Sequence, residues 1–146
     1  MREILFRGKG NPKYNDGSWH EGYLTHDTED YQIYTPIGVR SYCTTTVLEE
    51  TIGQYTGLTD RKGKKIFEGD IVKCSDEINE MSFLAAVEFG NPNGEYNWGW
   101  QLRYISGAMP NLDILLWVEM EESGIFIEVI GNIHDNPELL KGDNND

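Results

Sequence analysis

Three histidines, His20, His26 and His134, and two cysteines, Cys43 and Cys74, are the residue types here that could ligate a metal ion. His20 and His26 stand an even number of residues apart, so on a strand they would share a face, and Cys43 could add a third ligand. Spacing of that kind recurs by chance in β proteins, and surface or hydrogen-bonded histidines account for it equally well. The two cysteines form no CxxC pair and cannot supply a four-ligand zinc site by themselves. Asp70 with Glu68, or Glu21 with Glu29 and Asp30, have the chemistry for acid–base hydrolysis. Paired carboxylates work only at a defined separation in space, which sequence distance does not give, and solvated turns explain these acids more simply. A phosphate loop fails because five residues separate Gly57 from Gly63-Lys64 and Lys65 stands where a hydroxyl belongs. Gly8 and Gly10 begin a dinucleotide-like spacing that Pro12 and Lys13 break. No GxSxG elbow, HExxH or calcium-loop spacing occurs. No catalytic, cofactor-binding or metal-binding residue is expected, and no cofactor.

The remaining candidates belong to a binding surface. Tyr96, Trp98, Trp100 and Tyr104 form an aromatic ladder that could stack bases or grip a peptide, or could be core packed on Phe83 and Phe89. Trp98, Trp100 and Trp117, together with Glu119, Glu121 and Glu122, are the expected binding surface: an aromatic anchor beside acids.

Charge sets the sign of any partner. The 146 residues carry 12 Lys and Arg against 25 Asp and Glu, a net charge of -13. In residues 104–146 the only cation is Lys141, so this third repels phosphate backbones and attracts basic protein surfaces. Arg61, Lys62, Lys64 and Lys65 form the one basic concentration, placed at a hairpin tip. Nucleic acid is therefore not the expected partner. No apolar run reaches the ~18 residues a membrane span needs. The N-terminal stretch shows no secretory signal, and the cytoplasm is the expected compartment. A chain of this length supports one core, so a single domain over 1–141 with a mobile tail at 142–146 is expected.

The elements that must position these residues read as mainly β. Strands are expected at Glu3–Gly8, Trp19–Thr25, Tyr31–Thr35 and Ser41–Val47, separated by Gly, Pro, Asn and Asp clusters. Met81, Phe83, Ala85, Val87 and Phe89 alternate on a face that should be core. Asn91-Pro92-Asn93-Gly94 then turns the chain back along Tyr96 to Leu102. Leu112–Met120 is read as a strand forming a second hairpin with Ile125–Ile130. Asn136-Pro137-Glu138 predicts a short C-terminal helix with Asn136 as its cap.

The most informative segment runs from Thr51 to Val72. Asp60-Arg61-Lys62-Gly63 has the Asp-first, Gly-last order of a type I turn, and Glu68-Gly69-Asp70 marks a second reversal before Ile71-Val72 re-enters a sheet. Taken whole, Ile52–Val72 resembles the signature of the YopX family of small proteins encoded by phages and prophages. Arg2-Glu3-Ile4-Leu5-Phe6-Arg7 is similar to that family's opening, and the run from Val129 to Leu140 is similar to its close. Gly8-Lys9-Gly10 departs from the aromatic-and-acid continuation of many members. The resemblance implies a small, mainly β domain with an SH3-like barrel element, a phage or prophage gene and the cytoplasm of a bacterial host. It carries over no catalytic or binding residue.

The leading expectation is a non-enzymatic accessory protein that binds a host or phage protein. An acidic DNA mimic occupying a basic site of a nuclease or repressor, and an enzyme acting on nucleotides or sugars, stand as alternatives. Open sheet edges add the expectation of a homo-oligomer.

Overall fold

A computed structural model describes residues 4–90, 99–108, 111–119 and 124–141. The chain is mainly β and divides into two compact units, Met1–Gly57 and Leu58–Asp146. The first holds β1 (Phe6–Lys9), β2 (Trp19–His26), β3 (Tyr31–Pro36), β4 (Tyr42–Val47) and most of β5 (Gly53–Thr59). They lie in the order β4-β3-β2-β1-β5. The second holds the end of β5, with β6 (Lys65–Phe67) beside it, and a four-stranded sheet. That sheet contains β7 (Asp70–Asp76), β8 (Met81–Gly90), β9 (Gly99–Gly107) and β10 (Ile125–Asn132) in the order β10-β7-β8-β9. A short helix, α1 (Ile114–Glu119), connects β9 to β10.

Polar side chains at the turns set the registers of the first unit. Asp27 accepts the backbone N–H groups of Glu29 and Asp30 at 2.9 and 2.8 Å, closing the reversal between β2 and β3. The same bonds hold its carboxyl below its ordinary pKa. The antiparallel registers place Ile33 opposite both Leu24 and Thr45, so period-two alternation collects Ile33, Thr45 and Val47 on the buried face.

In the second unit Val72, Cys74, Phe83, Ala85, Val87, Leu102 and Ile127 form one apolar cluster, with Ile114 and Trp117 of α1 laid against it. Burial pushes the Cys74 thiol far up, which leaves it an inert core residue. The β8–β9 hairpin forms as expected, with Phe89 opposite Trp100 and Val87 opposite Leu102. The core face of β8 stops short of both ends, since Met81 and Phe89 are exposed. The Asn91–Gly94 turn lies outside the described residues.

Three expectations change. The described strands close no barrel: they make open antiparallel sheets in place of the SH3-like barrel element. Of the strand expected at Leu112–Met120, Met120 lies outside the described residues and the rest is not a strand, because Asp113 caps a helix there. Its Oδ1 accepts the Leu115 N–H at 3.1 Å, its carbonyl accepts the Leu116 N–H, and Ile114 and Trp117 then fall on one buried helical face. The hairpin with Ile125–Ile130 is lost with it, and β10 pairs with β7 instead. At the C-terminus the short helix is present as a 3₁₀ turn, Pro137–Lys141. The Asn136 side chain accepts the Asn132 N–H at 3.1 Å, back toward β10, and so ties the turn to the sheet.

Candidate functional site

The cassette between β5 and β7 is a structural junction. Asp60, only 6% exposed, spends one carboxylate oxygen on the N–H groups of Lys62 and Lys64, both at 2.9 Å. Its other oxygen accepts the Val129 N–H of β10 at 3.0 Å. Around this tie, the Arg61 guanidinium lies 3.8 Å from the centre of the Phe126 ring and Lys62 pairs with Glu128 at 2.7 Å. The basic tip therefore belongs to the seam with β10, where Arg61 and Lys62 are engaged with a ring and an acid. Gly69 has a φ of 91°, a conformation that favours glycine, and this turns Glu68-Gly69-Asp70 so that Gly69 bonds Val87 on one side and Ile133 on the other. Asp70 is not a solvated turn carboxylate. It is 1% exposed and accepts the Phe67 N–H at 2.7 Å.

The metal candidates do not meet. His20 bonds the Ser18 hydroxyl, His26 stacks on Tyr31 with centroids 4.1 Å apart, and Cys43 lies exposed on β4. Among the described residues no group of three or more His, Cys, Asp or Glu is placed to hold a metal ion. Glu21, Glu29 and Asp30 lie in and beside the β2–β3 hairpin without forming a described carboxylate pair. The acids with depressed pKa values are Asp16 and Asp27, exposed in turns, and Asp76, half-buried at the end of β7, and their shifts come mainly from hydrogen bonds to the turns beside them.

The binding candidates separate. Trp98, Glu121 and Glu122 lie outside the described residues, as does Tyr96. Trp100 is half-buried against the core, edge-on to Phe89 at 5.0 Å, and Phe89 itself is 62% exposed. Tyr104 is partly exposed, and its hydroxyl donates to the Gly107 carbonyl at 2.8 Å. Glu119 is exposed at the end of α1. Trp117 is 7% exposed, so it does not protrude as an anchor; it forms the wall of a pocket.

That pocket has a volume of about 170 Å³ and opens between the β7–β8 turn, α1 and the start of β10. Phe83, Trp117, Met81, Leu116 and Ile125 give it apolar walls, and Asp76, Ser82 and Asn111 stand among its lining. Trp117 is fixed by its indole N–H, which donates to the Asn111 carbonyl at 2.6 Å, and by an edge-on contact with Phe83 at 5.4 Å. Asp76 is turned into its own loop, where it accepts from the Ile78 and Asn79 backbones and from the Asn79 side chain at 2.7 Å. Those bonds, the Asn79 side chain first, hold its carboxyl below the usual range. Further acids neighbour the lining residues along the chain. Glu77 and Glu80 are exposed on the turn after Asp76, while Asp113 and Glu119 are exposed at the two ends of α1. Of the unit's cations, Arg61 and Lys62 are engaged at the β10 seam and Arg103 pairs with Glu88.

Gly107 is the backbone condition for the pocket. A Cβ there would stand 2.6 Å from the Phe83 Cα and from the Ser82 carbonyl oxygen, and its φ is 113°. Gly107→Ala is expected to cost about 2 kcal/mol and to perturb the Phe83 environment. Chemical denaturation with near-ultraviolet circular dichroism checks this, and an unchanged midpoint would refute it.

The sequence missed this pocket because its parts come from four separated segments. Two local signals existed: the Asp113 cap, and the three-residue spacing of Ile114 and Trp117.

No helix of the described residues is long and apolar enough to cross a membrane. Among proteins with known properties, no curated protein matches the chain. Among solved structures it is similar to the crystal structure of protein EF1440 from Enterococcus faecalis, with a TM-score of 0.51 and 20% identity, covering 96% of this chain and 99% of that one. A likeness at that identity shows the fold alone. The model of the YopX protein family matches residues 9–141, a span that includes the Asp60 junction, the pocket and the closing turn at Asn136. The chain belongs to the YopX family.

Proposed function

We propose that the protein is a non-enzymatic accessory protein of a phage or prophage, acting in the cytoplasm of its bacterial host by binding another protein through the Phe83–Trp117 pocket. The observation that carries this reading is an apolar pocket with one acid, Asp76, among its lining and further exposed acids beside its lining residues in the chain. At about 170 Å³ the pocket is smaller than the roughly 300–1,000 Å³ of typical small-molecule sites and suits one apolar side chain. Asp76 in its lining, and the exposed Glu77, Glu80, Asp113 and Glu119 that neighbour its lining residues in the chain, favour cationic neighbours of that side chain. The occupant is therefore a basic segment of a partner protein that inserts a leucine-sized or aromatic residue. Binding of this kind draws its affinity from the buried apolar group and its orientation and encounter rate from the acids.

Selection from a randomised peptide library tests the reading, with wild-type protein as bait and Ala108→Phe, which fills the pocket, as counter-bait. The expected result is enrichment on wild type of peptides with one apolar residue flanked by Lys or Arg. Those peptides should bind the filled variant at least tenfold more weakly and should lose affinity as salt is raised. Equal recovery on both baits, or enrichment of acidic peptides, would overturn it. Two of the lining residues, Met81 and Ala108, report occupancy directly through methyl resonances, so the peptides that emerge can be placed in the pocket or away from it.

A further inference from the structure

An oxidisable side chain stands in the wall of the Phe83–Trp117 pocket. Met81 begins β8, two residues before Phe83 on the same face of the strand, and it lines the pocket while 43% exposed. It is the one methionine among the described residues. Its cross-strand neighbour is Asp76, the acid of the lining. Other groups that oxidants attack are shielded or elsewhere. Trp117 is 7% exposed, and burial keeps the Cys74 thiol protonated. Cys43 is exposed but lies on β4, outside the lining.

The thioether gives this wall a chemistry that other apolar residues lack. Isoleucine or valine would supply apolar bulk at the start of a strand and would favour the extended backbone more strongly. Methionine brings a flexible stem that adapts to an inserted side chain, and a sulfur that can take up an oxygen atom. The resulting sulfoxide puts a strong hydrogen-bond acceptor into the wall. While the pocket is open, water satisfies that oxygen. An apolar side chain that enters displaces the water and offers no donor, so the oxygen is buried unpaired. Asp76 opposite gives no relief, because its carboxylate is itself an acceptor and is already bonded to Ile78 and Asn79.

We propose that Met81 is a reversible oxidation site that regulates the pocket: as the thioether it admits a partner's apolar side chain, and as the sulfoxide it rejects it. The inference rests on the reading of the pocket as a receptor for such a side chain. Hydrogen peroxide is the co-reactant. A sulfur lone pair attacks one peroxide oxygen, the S–O bond forms as the O–O bond breaks, and the second oxygen leaves as water. Sulfur thereby gives up two electrons and the peroxide is reduced. In the return step two thiols of a methionine sulfoxide reductase supply two electrons, join as a disulfide, and release the oxygen as water. The change is confined to the wall. Met81 pairs with Asp76 through its backbone, so the β7–β8 hairpin persists in both states and the switch acts on affinity, not on the fold.

Two probes test the switch on the full chain, benzene for the apolar wall and a basic peptide selected on the wild type for the whole site. Both are followed through the methyl resonances of Ala108 and Ile125 in the lining. The reduced protein should bind both. After peroxide treatment that adds one oxygen at Met81, read by peptide mass spectrometry, each should bind about tenfold more weakly or worse. Circular dichroism should be unchanged, and the reductase should restore binding. Met81→Leu keeps an apolar wall without sulfur and should bind equally before and after peroxide, which separates Met81 from Met1, Met109 and Met120. Met81→Gln, with an amide oxygen in the wall, should bind weakly without any peroxide. A sulfoxide form that binds both probes as tightly as the reduced form overturns the proposal. So does a Met81→Leu variant that loses binding on peroxide treatment. A reduced protein that binds neither probe overturns the pocket itself, whereas benzene reads the switch even where no peptide is enriched.

Discussion

Asp60→Ala is expected to lower unfolding stability by about 4 kcal/mol, the effect of a buried carboxylate that satisfies three backbone donors at once. The methyl group of the variant accepts nothing. The N–H groups of Lys62 and Lys64 lose the bonds that close their turn, and the Val129 N–H loses its partner across the seam to β10. Hydrogen bonds to a charged acceptor contribute about 1.5–3 kcal/mol each, and re-solvation of the two turn donors, near exposed Lys62 and Lys64, offsets part of the sum. Asp60→Asn separates these contributions. It keeps an acceptor for the turn and presents an amide N–H to Val129 or the reverse, so its cost should be about half that of the alanine variant. Urea denaturation of the full chain measures both. A loss below about 1 kcal/mol for Asp60→Ala would show that the seam is held by Arg61 on Phe126 and Lys62 with Glu128 instead.

This junction joins two of the three separated motifs that carried the resemblance. Asp60 reaches Val129, Arg61 bonds Ile127, and Gly69 bonds Ile133, so the cassette at Ile52–Val72 and the closing run from Val129 are one bonded unit. These two motifs are scaffold. The pocket lies beside them, largely in the stretch between Cys74 and Ser123 where no family motif was recognised.

What the sequence disclosed follows the range of the forces involved. Strands β2, β3 and β4, the β8–β9 hairpin and the turn at Asp60 were readable because each rests on local alternation or on a turn residue and its next few neighbours. Leu112–Met120 was misread because a short apolar run satisfies helix and strand alike. The deciding facts were the side chain of Asp113 capping one end and the claim of β7 on β10, a pairing between elements far apart in the sequence. The barrel was inferred from the family resemblance and from Gly-Asp-Ile-Val after a turn, a pattern that specifies a sharp return without specifying closure. Burial of Asp70 was equally invisible, since its place depends on strands that pack over it. The site residues divide in the same way. Trp117 was legible as a large apolar group near acids, but its role as wall required the helix.

Trp117 is where stability and binding can be pulled apart. Trp117→Ala is expected to cost about 3–5 kcal/mol, because it empties a core position packed on Phe83 and removes the bond that holds Asn111. A variant so destabilised says little about the pocket, since loss of binding would follow from loss of structure. Trp117→Phe should cost only about 1–2 kcal/mol: it keeps an aromatic edge for Phe83 and forfeits the indole N–H to the Asn111 carbonyl, an acceptor on an exposed residue that water can satisfy. The smaller ring enlarges the pocket without filling it. Peptides selected on the wild type should therefore bind Trp117→Phe with a shifted preference toward larger apolar residues, while the fold, read by circular dichroism, is unchanged. If Trp117→Phe binds the selected peptides with unaltered side-chain preference, the apolar group sits elsewhere and the pocket is only a gap in the packing. Near-ultraviolet circular dichroism of the two variants, run beside the denaturation curves, distinguishes a repacked wall from a collapsed one.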